Sequence, residues 1–302
     1  MVRSTMILIA AFLVQAGYAQ SLQLKWTSDT LLRVPESVYF DQKTGLLYVS
    51  NINGKSNEKD GNGFISQLTA EGKIVNLKWA TGLDAPKGMG MSNATLYVAD
   101  LTRVVAIDML SGKTTNVFEI EGAQFLNDLT VDTNGDIYIS DSATGKIHLI
   151  RNGNVELYFE GKDFKRVNGL LAEADGLYVA DAGTGINYKL SKTKELTKYT
   201  ETAQGADGII VAGAKSYIVS SWGGEVYFVD ENAKATKLLD TKGQKLNSAD
   251  IDFNAKTKML YVPTFYGNSV MAYSVEGLKS TKQEGKQKQP AKQKNSKKNK
   301  KS

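Results

Sequence analysis

A short alternating strand built around a tyrosine recurs six times, centred on Tyr48, Tyr97, Tyr138, Tyr178, Tyr217 and Tyr261. The strands read LLYVSN, TLYVAD, DIYISD, GLYVAD, SYIVSS and MLYVPT, at intervals of 49, 41, 40, 39 and 44 residues. A repeat of about 40 residues made of short strands is the pattern of a propeller whose blades are four-stranded sheets. The sequence therefore predicts an all-β, six-bladed β-propeller over 20–278. An uninterrupted repeat overrides the prior of about two domains that 302 residues would carry.

Each repeat starts with an inner strand, turns, and returns through the tyrosine strand. The turns are typical of hairpins: Gln42-Lys43-Thr44-Gly45, Thr133-Asn134-Gly135-Asp136 and Arg151-Asn152-Gly153-Asn154. The sixth repeat, with an inner strand predicted over 249–253, ends without an outer strand. Gln23-Leu24-Lys25-Trp26-Thr27 resembles Asn76-Leu77-Lys78-Trp79-Ala80, the outer strand of the first repeat. The N-terminal strand is thus expected to complete the last blade and remove an exposed edge.

The flanks differ from this body. Arg3, an apolar run over 6–14 and Gly17-Tyr18-Ala19 read as a secretory signal cleaved after residue 19, placing the protein in the periplasm or outside the cell. That run is too short to span a bilayer, and no transmembrane segment is expected after cleavage. Residues 279–302 hold ten lysines and one glutamate and read as a disordered tail. Removing the tail's +9 and Arg3 from the chain's net +5 leaves the body at −5, so no nucleic-acid partner is expected of the body. The tail could attach loosely to an anionic envelope surface, an attachment that salt would weaken. With no cysteine, lipid-anchored lipoproteins, disulfide frameworks and thiolate zinc sites are excluded.

In a propeller, the start of each inner strand faces the mouth of the central channel. Aligned on their tyrosines, the inner segments PESVYF, PKGMGM, LNDLTV, VNGLLA, ADGIIV and SADIDF place Glu36, Lys87, Asn127, Asn168, Asp207 and Ala249 at one position. Four of the six carry carboxylate or amide oxygen, hard ligands suited to one divalent cation, Ca²⁺ first, with Mg²⁺, Mn²⁺ or Zn²⁺ as substitutes. Polar residues also begin strands because Asn and Asp favour turns, and any one of the four alone would fit that explanation. The tyrosine strands end at the same mouth, at Asn51, Asp100, Asp141, Asp181, Ser220 and Thr264, positions expected to act mostly as turn caps.

On Glu36, Asn127-Asp128, Asn168-Gly169 and Asp207-Gly208, in that order and spacing, residues 24–278 resemble the senescence-marker-protein/gluconolactonase-like six-bladed propellers, which include regucalcin and bacterial sugar lactonases. The resemblance implies that Glu36, Asn168 and Asp207 bind one divalent metal, that Asp207 is the general base and that Asn127 contacts substrate. The related diisopropyl-fluorophosphatase and paraoxonase propellers also use the Asn127-like position on the metal. Asp128 and Lys87 are further candidates for substrate contact. The sugar lactonases commonly carry an arginine two residues before the Asn127-like asparagine, where this chain has Phe125. Lys87 aims a cation at the site, and Ser37 stands where glycine is usual. These departures point away from a hydrophilic sugar lactone toward a different small-molecule ester or lactone, or toward no substrate at all.

The expected chemistry is metal-assisted hydrolysis, with Asp207 taking a proton from water or acting as nucleophile. The sole histidine, His148, lies in the strand GKIHLI and offers no histidine-based triad or dyad. Asp60-Gly61-Asn62-Gly63 lacks the ending of a phosphate loop. The insertion over 53–63 reads as a lid-like or plain surface loop, and Asn93-Ala94-Thr95 is a glycosylation sequon only in a eukaryotic host. A second reading is a non-catalytic propeller with a structural metal, binding a partner through Trp222, Phe265 and Tyr266.

Overall fold

The computed structural model describes residues 19–278. The segment read as a secretory signal, apart from Ala19, and the lysine-rich tail fall outside these residues. Six four-stranded antiparallel sheets follow one another around a channel. The first blade is β2 (Pro35–Asp41), β3 (Leu46–Asn51), β4 (Gly63–Thr69) and β5 (Ile74–Leu83). The second is β6 (Pro86–Ser92), β7 (Thr95–Asp100), β8 (Arg103–Asp108) and β9 (Thr114–Glu119). The third is β10 (Leu126–Val131), β11 (Ile137–Asp141), β12 (Lys146–Arg151) and β13 (Asn154–Glu160), and the fourth β14 (Val167–Glu173), β15 (Gly176–Asp181), β16 (Ile186–Ser191) and β17 (Leu196–Glu201). The fifth is β18 (Ala206–Gly213), β19 (Ser216–Ser221), β20 (Glu225–Val229) and β21 (Ala235–Asp240).

The last blade joins both ends of the body. Its strands run β1 (Ser21–Thr27), β24 (Val270–Glu276), β23 (Met259–Pro263) and β22 (Asp252–Asn254). As expected, the N-terminal strand supplies the outer position, with Leu22 opposite Val275 and Thr27 opposite Met271. Trp26 on β1 then stacks 6.0 Å from Tyr261 and covers Gly72 of the first blade, where a Cβ would come within 2.4 Å of the indole. The closure is therefore packed as well as hydrogen-bonded.

Because strand residues alternate between faces, the buried members of one sheet meet those of the next, and the core lies between blades. Ile147 and Leu149 of the third blade pack with Leu170, Val179 and Leu190 of the fourth. Leu47, Val49 and Leu68 of the first pack with Tyr261 and Ala272 of the sixth.

Two local readings of the sequence are corrected. The inner strand predicted over 249–253 is only Asp252–Asn254. Ala249 N–H still donates to Pro263 O of β23 at 3.2 Å, but Asp250 turns to the first blade: its N–H donates to Glu36 O at 2.9 Å, and it forms a parallel bridge with Ser37. In the fifth blade the tyrosine alignment slips by one. Tyr217 lies opposite Val211 and Ile218 opposite Ile210, whereas in the third blade Tyr138 lies opposite Thr130. Ser221, paired with Ala206, thus occupies the strand-end place expected of Ser220.

Candidate functional site at the channel mouth

The inner strands share a defect that builds the site. Each of the first five slips register at its channel end, between Pro35 and Ser37, Pro86 and Met89, Leu126 and Leu129, Val167 and Leu170, and Ala206 and Ile209. A bulge takes residues out of the ladder and re-aims their side chains. It delivers Glu36, Lys87, Asn127, Asn168 and Asp207, each the second residue of its strand, to one cavity of about 250 Å³. All five are buried, with relative exposures of 1–6%. The sequence-predicted ring therefore converges, except that Ala249 contributes no polar atom and does not line the cavity.

The following residue of each bulge forms a second layer below. Asp128 lies there and does not line the cavity. Its carboxylate accepts the N–H groups of Leu129 and Leu170, both at 2.7 Å, joining the third and fourth blades. Asp250 is its counterpart from the sixth blade and accepts from Ser37 Oγ at 2.5 Å. The N–H groups that the bulges free are taken by serines of the neighbouring strand, Ser37 by Ser50, Asp128 by Ser140 and Gly208 by Ser220.

In the upper layer the polar atoms are incompletely used. Asn168 Nδ2 donates to Asp207 Oδ1 at 2.9 Å, and Asn127 Nδ2 donates to Ser142 Oγ at 3.1 Å. Glu36 Oε2 and Asn168 Oδ1 are buried without a hydrogen-bond partner. Burial, then repulsion from Asp207 and Asp250, pushes the Glu36 carboxyl well above its usual range, with Lys87 opposing. Asp207 is also raised by burial and by Asp250, against the Asn168 hydrogen bond and the Arg166 charge. Burial lowers Lys87 to about 8. Its Nζ donates to Ala85 O at 2.9 Å and lies 4.5 Å from the Phe125 ring centroid. Among the described residues it forms no ion pair.

Buried carboxylates with orphaned oxygen beside them demand either protons or a cation. The donor set of Glu36, Asp207 and the two amides fits one hard divalent ion in chemistry. Among the described residues no three His, Cys, Asp or Glu side chains cluster around a metal position, so the amide oxygens are indispensable to such a site.

The strand ends act as caps. Asp100 accepts the N–H groups of Asp84 and Ala85, Asp141 those of Gln124 and Phe125, and Asp181 that of Arg166 at 2.6 Å. These bonds fix the residues that enter the mouth just ahead of each inner strand. Two of them, Phe125 and Arg166, line the cavity. Arg166 was missed by the sequence reading, although it stands two residues before Asn168 as Phe125 stands two before Asn127. A second part of the lining is Trp222, Phe265 and Tyr266, the latter two in a 3-10 turn (Phe265–Gly267). The insertion over 53–63 adds Ser56 to the rim and is tied to the second blade by Gly61 N–H to Asp84 and Lys59 Nζ to Thr102 Oγ1.

No protein-family model matches the chain, and no curated protein matches it in sequence. Solved structures do match its fold. A gluconolactonase from Xanthomonas campestris superposes with a TM-score of 0.63 at 14% identity, over 81% of this chain and 86% of that one. A catalytically inactive variant of virginiamycin B lyase from Staphylococcus aureus, with quinupristin, gives 0.61 at 15%, over 85% and 99%. A streptogramin B lyase gives 0.62 at 11%, over 85% and 98%. The chain is thus a six-bladed propeller of the kind that gluconolactonases and streptogramin lyases share. The resemblance read from the sequence holds at the level of that fold.

Proposed function

We propose that the cavity hydrolyses a small lactone or ester, using one divalent cation held by Glu36, Asp207, Asn168 and Asn127, with Ca²⁺ the first choice. The observation that carries this reading is the pair of unpartnered buried oxygens, Glu36 Oε2 and Asn168 Oδ1, beside the Asp207 carboxylate. When bound, the cation would act as a Lewis acid on the carbonyl oxygen. Asp207 accepts the proton of the attacking water. Burial and Asp250 raise the Asp207 carboxyl in the metal-free cavity, and a bound cation would favour its ionised, proton-accepting form. Asn168 holds one Asp207 oxygen through Nδ2, which leaves the other for water. Lys87, with two N–H groups beyond the one given to Ala85 O, can donate to the developing oxyanion. The reading includes export through the N-terminal signal and a tail that meets an anionic envelope surface. Among the described residues no helix is long and apolar enough to cross a membrane.

A lyase activity is less supported. The inactive streptogramin lyase variant carries a histidine-to-alanine change. The one histidine here, His148, is buried in β12, and burial lowers its pKa; it does not line the cavity. The half-exposed Trp222 and Tyr266 favour a second reading, a binding module without turnover. A panel of esters and lactones, run with Ca²⁺, with chelator and with Asp207→Asn, decides between them. Metal-dependent turnover reduced about a thousandfold in the variant is expected. Ca²⁺-loaded protein inert across the panel would replace the hydrolase with the binding module.

A further inference from the structure

The cavity has two chemically different walls, and ester hydrolysis, which uses Lys87 as an oxyanion donor, leaves Arg166 and the aromatic wall unexplained. On one wall Lys87 and Arg166 approach the same aromatic ring: Nζ of Lys87 lies 4.5 Å and the Arg166 guanidinium carbon 5.8 Å from the Phe125 centroid. Neither cation has a salt-bridge partner among the described residues. Arg166 is exposed, whereas Lys87 is 1% exposed, an unusual burial for an ammonium that no carboxylate pairs directly. The backbones of Arg166 and Phe125 are pinned independently of their side chains. Arg166 N–H donates to Asp181, Ala182 N–H donates to Arg166 O, and Asp141 holds Phe125 N–H at 3.0 Å.

On the other wall three rings interlock edge to face. Trp222 lies 5.7 Å from Phe265 and 5.9 Å from Tyr266, and these two lie 4.8 Å from each other. Trp222 is 40% and Tyr266 60% exposed, leaving apolar faces toward solvent and cavity. The wall is built before any ligand arrives. Phe265 sits at φ 46°, a strained backbone for a bulky side chain. The turn around it is held by Asn268 N–H to Phe265 O and by Val34 N–H to Asn268 Oδ1 at 2.9 Å.

Charge selects the occupant. With a divalent ion on Glu36 and Asp207, the remaining charged side chains that line the cavity are Lys87 and Arg166; Asp128 and Asp250 lie outside the lining. We infer that the cavity takes an amphipathic monoanion: a substrate carrying one carboxylate that lies against Lys87 and Arg166, with an aromatic or apolar body against Trp222 and Tyr266. This deepens the hydrolase reading and rests on it for the orientation, with the scissile carbonyl facing Glu36 and Asp207. The carboxylate is recognised by charge-assisted hydrogen bonds, the body by ring contact.

The test is calorimetric titration of the Ca²⁺-loaded protein with 2-naphthoate and with its neutral isostere 2-naphthamide, which separates binding from turnover. The acid should bind at least about tenfold more tightly than the amide. Arg166→Gln should reduce that preference to about threefold or less, and raising the salt should erode it in the parent. Trp222→Ala should weaken both probes by a similar factor. Equal binding of acid and amide, binding of neither, or an undiminished preference in Arg166→Gln would each overturn the inference. Preference for the acid in a protein that turns over no ester would remove the hydrolase reading and leave this one standing. Turnover of neutral lactones without any preference for the acid would do the reverse.

Discussion

Two layers of the channel, built by the five bulges and the Asp250 segment of the sixth blade, serve opposite ends. In the lower layer every carboxylate is spent on the protein. Asp128 is bonded to two backbone N–H groups on adjacent blades, and Asp250 to Ser37. Glycines make room for them: a Cβ at Gly88 would lie 2.2 Å from Asp128 Oδ1, and one at Gly208 2.4 Å from Asp250 Oδ1. In the upper layer, one residue earlier in each strand, Glu36 and Asn168 keep buried oxygens free. Satisfied polar groups stabilise a fold, and unsatisfied ones are tolerated where a ligand completes them. The lower layer is therefore a rivet between blades, and the upper layer is the one proposed to receive a ligand.

That distinction breaks most visibly at the glycines. A Cβ at Gly169 would come within 1.8 Å of the Asp207 backbone oxygen, which no side-chain rotation relieves. Gly169→Ala should cost about 3 kcal/mol or more, read as a lowered denaturation midpoint. Wild-type stability in that variant would mean that the blades are not packed this closely. Asp128→Ala strands the N–H groups of Leu129 and Leu170 and should cost roughly 2–4 kcal/mol by denaturant titration. Glu36→Gln makes the opposite case. It removes one of several mutually repelling buried carboxyls, so the metal-free protein should be as stable as the parent or more so. Ca²⁺ binding should fall about a hundredfold or more, measured by calorimetry. Loss of stability in Glu36→Gln without loss of Ca²⁺ would exchange the roles of the two layers.

The acidity of the channel sharpens the comparison next. Burial raises Asp250 to about 7 and also raises Glu36, Asp128 and Asp207 above their unfolded values. A carboxyl that holds its proton more tightly when folded favours the folded state at low pH. That advantage is complete below about pH 4 and is lost as pH rises toward 7. Metal-free protein should thus lose stability between pH 4 and 8, with roughly 2 kcal/mol of the change removed in Asp250→Asn. Saturating Ca²⁺ should flatten the slope that Glu36 and Asp207 contribute, because it stabilises their ionised forms. A metal-free stability that rises across this window would contradict the assignment.

The sequence made the blade count and the closing strand legible because both depend on period and pattern, which each residue carries locally. It also located Glu36, Asn127, Asn168 and Asp207, since the bulge recurs at one register and copies the same position into each repeat. It did not expose the lower layer. Asp250 stands one residue after the aligned Ala249, and only the detour of the sixth inner segment toward β2 shows that it faces Ser37. Tyr217 misled by one position because it stands beside Ile218 in a strand whose two faces are both buried, and the serine that fixes the register, Ser220, looked like a strand end. Arg166 could have been found by comparing the residues two places before each ring position. Nothing local marks a strand-entry arginine as facing a cavity rather than solvent.

The smallest effect tests the support of the upper layer rather than its ligands. Ser142 Oγ accepts from Asn127 Nδ2 at 3.1 Å and donates to Val167 O at 2.5 Å. It thereby orients an asparagine of the third blade from the entry to the fourth. In Ser142→Ala the Asn127 amide loses the partner that holds its nitrogen away from the site, and Val167 O loses a donor. The stability cost should be about 1 kcal/mol, the net worth of a buried hydrogen bond. Ca²⁺ affinity should fall about tenfold, since residues that orient a ligand matter nearly as much as the ligand. A purely structural Ser142 would show the first change without the second. The ratio of the two measures how far the upper layer depends on the blades that carry it.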